Sequence, residues 1–232
     1  MGLSELEKER YLRQLPTRSW NQEKLRAARV LIAGIGGLGS ASALYLASAG
    51  AGTLRLCDAD VVEPSDLNRQ VLYDEKSIGK PKVREAGKRL ARFNSSIKIE
   101  ALPERIIEEN AERLIMGCDL IVDGLDNMPS RFLLNRYSVK LRIPYVYGAV
   151  QGWQGFISLF HPPRTACLAC VIPQAMPTPG PIPVAGVLPG TIGLLQATEA
   201  LKYLMGVEQT LAGRLLIYDS FDVSFDTIEL VK

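Results

Sequence analysis

The sequence predicts an α/β fold: a doubly wound, mostly parallel sheet with an antiparallel extension at its C-terminal end. Three observations predict it. Short apolar runs alternate with helical stretches as far as residue 147. A glycine-rich turn, Gly34-Ile35-Gly36-Gly37-Leu38-Gly39, joins the first of these runs to a helix, the Rossmann-like arrangement. Beyond residue 147 the pattern changes to strands at 148–160 and 214–218 around one buried helix, 191–205.

The elements follow in chain order. Residues 1–28 are charged and read as a helical arm, with Leu3, Leu6, Leu12 and Leu15 spaced for partial burial before Pro16 interrupts. Val30 to Ala33 is the first strand, and Ser40 to Ala49 a helix of small residues that packs closely. Thr53 to Cys57 is the second strand, Lys82 to Phe93 an amphipathic helix, and Ile97 to Leu102 the third strand. Glu108 to Met116 is helical, and Leu120 to Asp123 a fourth strand ending in carboxylate. Parallel strands joined this way need right-handed crossovers. Residues 171–190 form a crossover loop, because the prolines from 173 onward exclude regular structure there. Residues 1–232 are expected to make a single domain, enough chain for one substantial core.

Composition narrows the function. The 27 basic and 25 acidic side chains give a net charge of +2, which favours neither nucleic acid nor an anionic membrane as a partner. No apolar run is long enough to span a bilayer and the polar N-terminus is no signal peptide, so a cytoplasmic location is expected. One histidine, His161, excludes multi-histidine metal sites. Four cysteines, at 57, 118, 167 and 170, suggest thiols or metal ligands in place of a disulfide framework.

The glycine turn offers backbone amides and a helix N-terminus to a phosphate, and Asp58 ends the second strand where a carboxylate accepts ribose hydroxyls. By itself this half suggests a nicotinamide-dependent oxidoreductase. The next residues point elsewhere: Arg69 follows shortly, and Lys80 and Lys82 open the next helix. Several cations aimed at one nucleotide suit a triphosphate that crowds with charge during a displacement. Asp123-Gly124-Leu125-Asp126-Asn127 ends the fourth strand at the same crevice, where an Asp suits Mg²⁺ and either Asp126 or Asn127 suits a helix cap.

Taken in order, Arg10-Tyr11-Leu12-Arg13-Gln14, the glycine turn, Asp58-Ala59-Asp60, Ser65 to Gln70, Gly79 to Lys82, Asp123 to Asn127, Cys167–Cys170 and Ala185 to Lys202 resemble the ThiF/MoeB/HesA superfamily, relatives of the ubiquitin-activating enzymes. The resemblance runs from residue 10 to about 220. It implies an adenylyltransferase that uses ATP and Mg²⁺ to activate the C-terminal glycine of a ubiquitin-like sulfur carrier protein, releasing pyrophosphate. It gives Gly34, Gly36, Gly37 and Gly39 to the phosphates and Asp58 and Asp60 to the ribose side. Ser65, Asp66, Leu67, Asn68, Arg69 and Gln70 then line the triphosphate, with Arg69 and Lys82 balancing its charge. Asp126 becomes the Mg²⁺ ligand and Asn127 its neighbour. Arg13 becomes an arginine lent across a homodimer to the partner's nucleotide, and the carrier's tail passes beneath the crossover loop.

Three departures qualify the match. Cys167 and Cys170 are half of a tetrahedral zinc site with no later cysteine to complete it, so zinc is doubtful. Ile182 stands where thiamine-pathway relatives carry a crossover cysteine, so no covalent enzyme–carrier intermediate is expected. Asp66 stands where relatives often have Asn, adding negative charge beside the triphosphate. No rhodanese-like domain follows, so another protein is expected to supply sulfur. A non-catalytic or differently committed homologue that binds nucleotide and a partner is the alternative. The residues do not choose among molybdopterin, thiamine, tRNA-thiolation and amino-acid pathways.

Overall fold

The structure, a computed structural model, describes residues 2–172 and 183–231. Strands β1 (Arg29–Ala33), β2 (Thr53–Cys57), β3 (Lys98–Leu102), β4 (Leu120–Asp123) and β5 (Tyr145–Gln151) lie parallel in the order β3-β2-β1-β4-β5. Strands β6 (Gln154–Phe160), β7 (Arg214–Asp219) and β8 (Ser224–Glu229) extend the same sheet antiparallel beyond β5.

The central strands β1 and β4 bury both faces because their apolar residues serve two layers in alternation. Val30 and Ile32 of β1 join a core with Leu46 of α3 (Gly37–Ala49), Val83 and Leu90 of α4 (Lys82–Phe93), and Ala197 and Ala200 of α8 (Val187–Met205). Leu31 and Ala33 point the other way, to Leu114 of α5 (Glu108–Ile115), Leu134 of α6 (Met128–Leu141) and Leu168 of α7 (Leu168–Val171). A strand covered by helices on both sides loses the polar half of the usual alternation, which is why β1 reads as one apolar run.

The N-terminal arm is two short helices, α1 (Glu5–Arg10) and α2 (Gln22–Ala27), capped by Ser4 and Asn21. Leu6 and Leu12 stay 60% and 63% exposed. The arm is fastened by other residues: Tyr11 and Leu25 are buried, Asn94 Nδ2 donates to Tyr11 Oη at 3.0 Å, and Gln14 and Gln22 donate to the Ala49 carbonyl. Of the four leucines spaced for partial burial, Leu3 and Leu15 are half-buried, whereas Leu6 and Leu12 face outward.

The strand signal over 148–160 resolves into the β5–β6 hairpin, turning at Gly152 with φ +59°. Strand β8 and the short α7 went unpredicted. The crossover loop also ends earlier than its prolines suggest, since Val187 starts α8. Pro189 stands in the first turn, where a missing N–H leaves no bond unmade. Before it, Gly152 N donates to the Pro183 carbonyl at 2.7 Å and Ala185 N to the Gly152 carbonyl at 3.0 Å, tying the end of the crossover to the hairpin turn. Ile182 and the rest of 173–182 lie outside the described residues.

Candidate active site

Strand order reverses between β1 and β4, and at the C-terminal ends of these strands lies a cavity of about 820 Å³. This is the switch-point crevice where doubly wound sheets hold ligands. The β1–α3 turn forms its floor. Gly34 has φ +87°, and a Cβ there would stand 2.6 Å from the Gly124 carbonyl oxygen. A Cβ on Gly39 would stand 1.9 Å from the Gly34 oxygen, so this glycine lets helix and strand meet and does not itself line the cavity. Gly36 and Gly37 do line it.

Asp58 closes the side next to β2. Its two carboxylate oxygens accept from Ile35 N and Asp60 N, both at 2.8 Å. Burial raises its affinity for a proton, against the pull of those two N–H groups. Asp60, Ser65, Asp66, Arg69, Gln70 and Lys82 also face the cavity, whereas Leu67 packs into the core. Asn68 is absent from the lining and instead accepts from Arg69 at 2.9 Å.

Asp66 is more deeply engaged than a solvent-facing carboxylate. It is 5% exposed, accepts from Glu63 N at 3.0 Å and Gln70 Nε2 at 2.6 Å, and lies 3.3 Å from Lys82 Nζ. Its charge is thus matched by Lys82, which also lies 3.8 Å from Asp60. Arg69 folds back onto its own loop, donating to the Ser65 carbonyl at 2.7 Å and lying 3.6 Å from Asp66.

Across the cavity, Asp126 and Asn127 line the β4–α6 connection. Asn127 caps α6, its Oδ1 accepting from Ser130 N at 2.9 Å, which leaves Asp126 as the exposed carboxylate. Asp126 is a hard oxygen donor of the kind Mg²⁺ takes alongside substrate phosphates. No group of three or more metal-ligating side chains gathers among the described residues.

Among the lining residues that sequence reasoning missed, which include Glu63, Glu104 and Arg105, Arg131 is the most deeply engaged. Only 8% exposed, it donates to Asp123 at 3.1 Å, to the Leu125 carbonyl at 2.6 Å and to the Gly148 carbonyl at 2.8 Å. Asp123 is wholly buried and also accepts from Tyr145 Oη at 2.6 Å. Burial pushes the Asp123 carboxyl up while Arg131 and Tyr145 hold it down. The sequence signal was present, an arginine one helical turn inside α6, but nothing in the spacing showed that it turns inward.

Arg13 is not brought to this cavity. It is exposed on the arm, which fastens to the Ala49 and Phe93 carbonyls at the far ends of α3 and α4. His161 is also elsewhere, its Nε2 3.4 Å from Tyr203 Oη on α8. Cys167 and Cys170 stand together, Sγ to Sγ 3.6 Å, with no third ligand beside them among the described residues. Cys57 and Cys118 are buried and donate to the Glu104 and Leu114 carbonyls. Among the described residues Cys167 and Cys170 stand alone at that place, and two thiols by themselves do not complete a tetrahedral zinc site.

Comparison with known proteins agrees with this geometry. The solved structures of PaaA (TM-score 0.84, 24% identity, covering 99% of this chain and 75% of that one) and of E. coli MccB with ATP (0.81, 23%, 91% and 66%) share the fold. The sulfur carrier protein adenylyltransferase of Thermus thermophilus is 42% identical over 215 residues, 88% of this chain and 79% of the relative. The SAMP-activating enzyme E1 of Haloferax volcanii is 39% identical over 213 residues, 89% and 78%. The ThiF family model matches residues 10–232, and the chain belongs to the ThiF family.

Proposed function

We propose that this chain is an ATP-dependent adenylyltransferase that joins AMP to the C-terminal glycine of a ubiquitin-like sulfur carrier protein, with release of pyrophosphate. The names of its relatives support the activity and the substrate class. The observation that carries the reading is the convergence of the glycine turn, Asp58, Arg69, Lys82 and Asp126 on one cavity of nucleotide size.

The reaction asks for little proton chemistry. A C-terminal carboxylate is ionised at neutral pH and is itself the nucleophile at the α-phosphorus. The protein has to position it and offset charge in the transition state. His161, remote from the cavity, then needs no part in the reaction. Asp58 orients the ribose, the Gly36–Gly37 backbone faces the phosphates, and Arg69 and Lys82 turn from Asp66 toward the triphosphate. Asp126 would hold Mg²⁺, which when bound neutralises the leaving pyrophosphate.

Charge supports both the ion and a second copy of the chain. Six carboxylates and four cationic side chains line the cavity, an acidic excess that repels a bare triphosphate. Mg²⁺ and Arg13 of a second chain would reverse that excess, so a homodimer belongs to the reading. The test is pyrophosphate release from ATP and Mg²⁺ with carriers ending in Gly-Gly. Release should require the carrier and vanish when its last glycine is removed. Equal release without carrier, or none with any such carrier, refutes the activity.

A further inference from the structure

The pairing of β4 with β5 ends at Val122 and Val146, one residue before β4 itself ends at Asp123, and Asp126 follows three residues on. Gln196 of α8 takes over where the ladder stops. Its Nε2 donates to the Asp123 carbonyl at 2.7 Å and to the Val146 carbonyl at 3.3 Å. The side chain is 0% exposed, and its Oε1 has no hydrogen-bond partner among the described residues. Leaving a buried acceptor unmet has a cost, which the two donated bonds must offset.

The same helix presses on the phosphate-facing turn. A Cβ on Gly37 would stand 2.7 Å from Pro189 Cβ, and one on Gly193 2.5 Å from the Leu38 carbonyl oxygen. Pro189, Gly193 and Gln196 lie within about two turns of α8. One rigid segment therefore touches both the turn beneath the phosphates and the strand that leads to Asp126. Mg²⁺ demands near-ideal octahedral geometry and is shared between carboxylate and phosphate, so the separation of those two parts decides how well it is held. We propose that Gln196 is a positioning residue: by fixing the Asp123 carbonyl against α8, it sets the distance between Asp126 and the phosphate-facing turn. The proposal rests on the reading of Asp126 as the Mg²⁺ carboxylate. Arg131 holds the other side of the junction, through the Asp123 carboxylate and the Leu125 and Gly148 carbonyls.

The test is calorimetric binding of ATP with Mg²⁺, and of AMP, to the full chain and to Gln196→Met. Methionine fills the slot without a donor. Affinity for ATP with Mg²⁺ should fall severalfold, while affinity for AMP, which lacks the outer phosphates that the ion bridges, should not change. In an Asp126→Ala background Gln196→Met should have no further effect on ATP affinity. Gly148→Ala reaches the same amide from β5: its methyl would stand 2.3 Å from Gln196 Nε2 and push that flexible end off Asp123. It should give the same split, and it carries the test if the methionine variant does not fold. Unchanged ATP affinity in either folded variant, an equal loss for AMP, or the same loss in the Asp126→Ala background would each overturn the proposal. Failure of the adenylation reading shows separately, as absence of carrier-dependent exchange in the wild type.

Discussion

A guanidinium buried at the switch point has to place each of its donors. Arg131 does so on Asp123, Leu125 and Gly148, so one side chain ties the ends of β4 and β5 to the loop that carries Asp126. Arg131→Met strands a carboxylate that is 0% exposed, and removing one partner of such a pair costs about 3–5 kcal/mol. Urea unfolding should show a large fall in midpoint at unchanged slope. An unaltered midpoint would mean that Asp123 finds another partner or sheds its charge. The glycines separate in the same way. Gly39→Ala drives a methyl into the Gly34 carbonyl and should lower the melting temperature. Gly36→Ala, whose nearest neighbour would be 3.8 Å from the new methyl, should melt as wild type and bind ATP more weakly. Equal melting of the two variants contradicts this account of the turn. The glycines and Asp58 were legible as single residues because their chemistry depends on the local turn. The inward course of Arg131 was not, because it depends on the packing of α6 against β5.

Among the elements, α3, α4, α5 and β1, β2, β3 and β4 were legible because each carries its own period or its own boundary residues. Strand β8 was not, since its six residues are all exposed and it exists by pairing with β7. The arm misled for a related reason: capping fixes where α1 and α2 start, but tertiary partners of Tyr11 and Leu25 decide which side is buried. One ladder contact gives a pH prediction. Glu100 on β3 lies 2.8 Å from Lys98, 2.9 Å from Arg55 on β2 and 3.7 Å from Arg29 on β1. The Lys98 hydrogen bond, then Arg55 and Arg29, outweigh burial and hold its carboxyl down at about 2 from 4.5. A folded-state value below the unfolded one stabilises above about 4.5 and is lost as pH falls toward about 2. Thermal melts of Glu100→Gln should therefore lose less stability than wild type across that window. Parallel acid limbs in the two proteins would remove Glu100 from the explanation.

For the whole molecule the question is how a cavity lined by more carboxylates than cations accepts a triphosphate. We propose a divalent ion at Asp126 and an arginine from a second chain, because the chain's own Arg13 lies on an arm fastened to the ends of α3 and α4 far from the cavity. Fold and cavity could be read from the order of motifs along the chain, but charge balance could not, since it required knowing that Asp66 is already matched by Lys82. If the sites are shared, Arg13→Ala and Asp126→Ala should each be inactive alone and recover about a quarter of wild-type activity when unfolded and reassembled together, through heterodimers with one intact site. No recovery would place Arg13 outside the site. The most direct test of the central claim is carrier-dependent ATP–pyrophosphate exchange by wild type and Asp126→Ala, compared at equal stability. The account predicts exchange only with a carrier ending in Gly-Gly, and its loss in Asp126→Ala while the urea midpoint stays unchanged. Undiminished exchange in Asp126→Ala, or exchange that ignores the carrier, would contradict it.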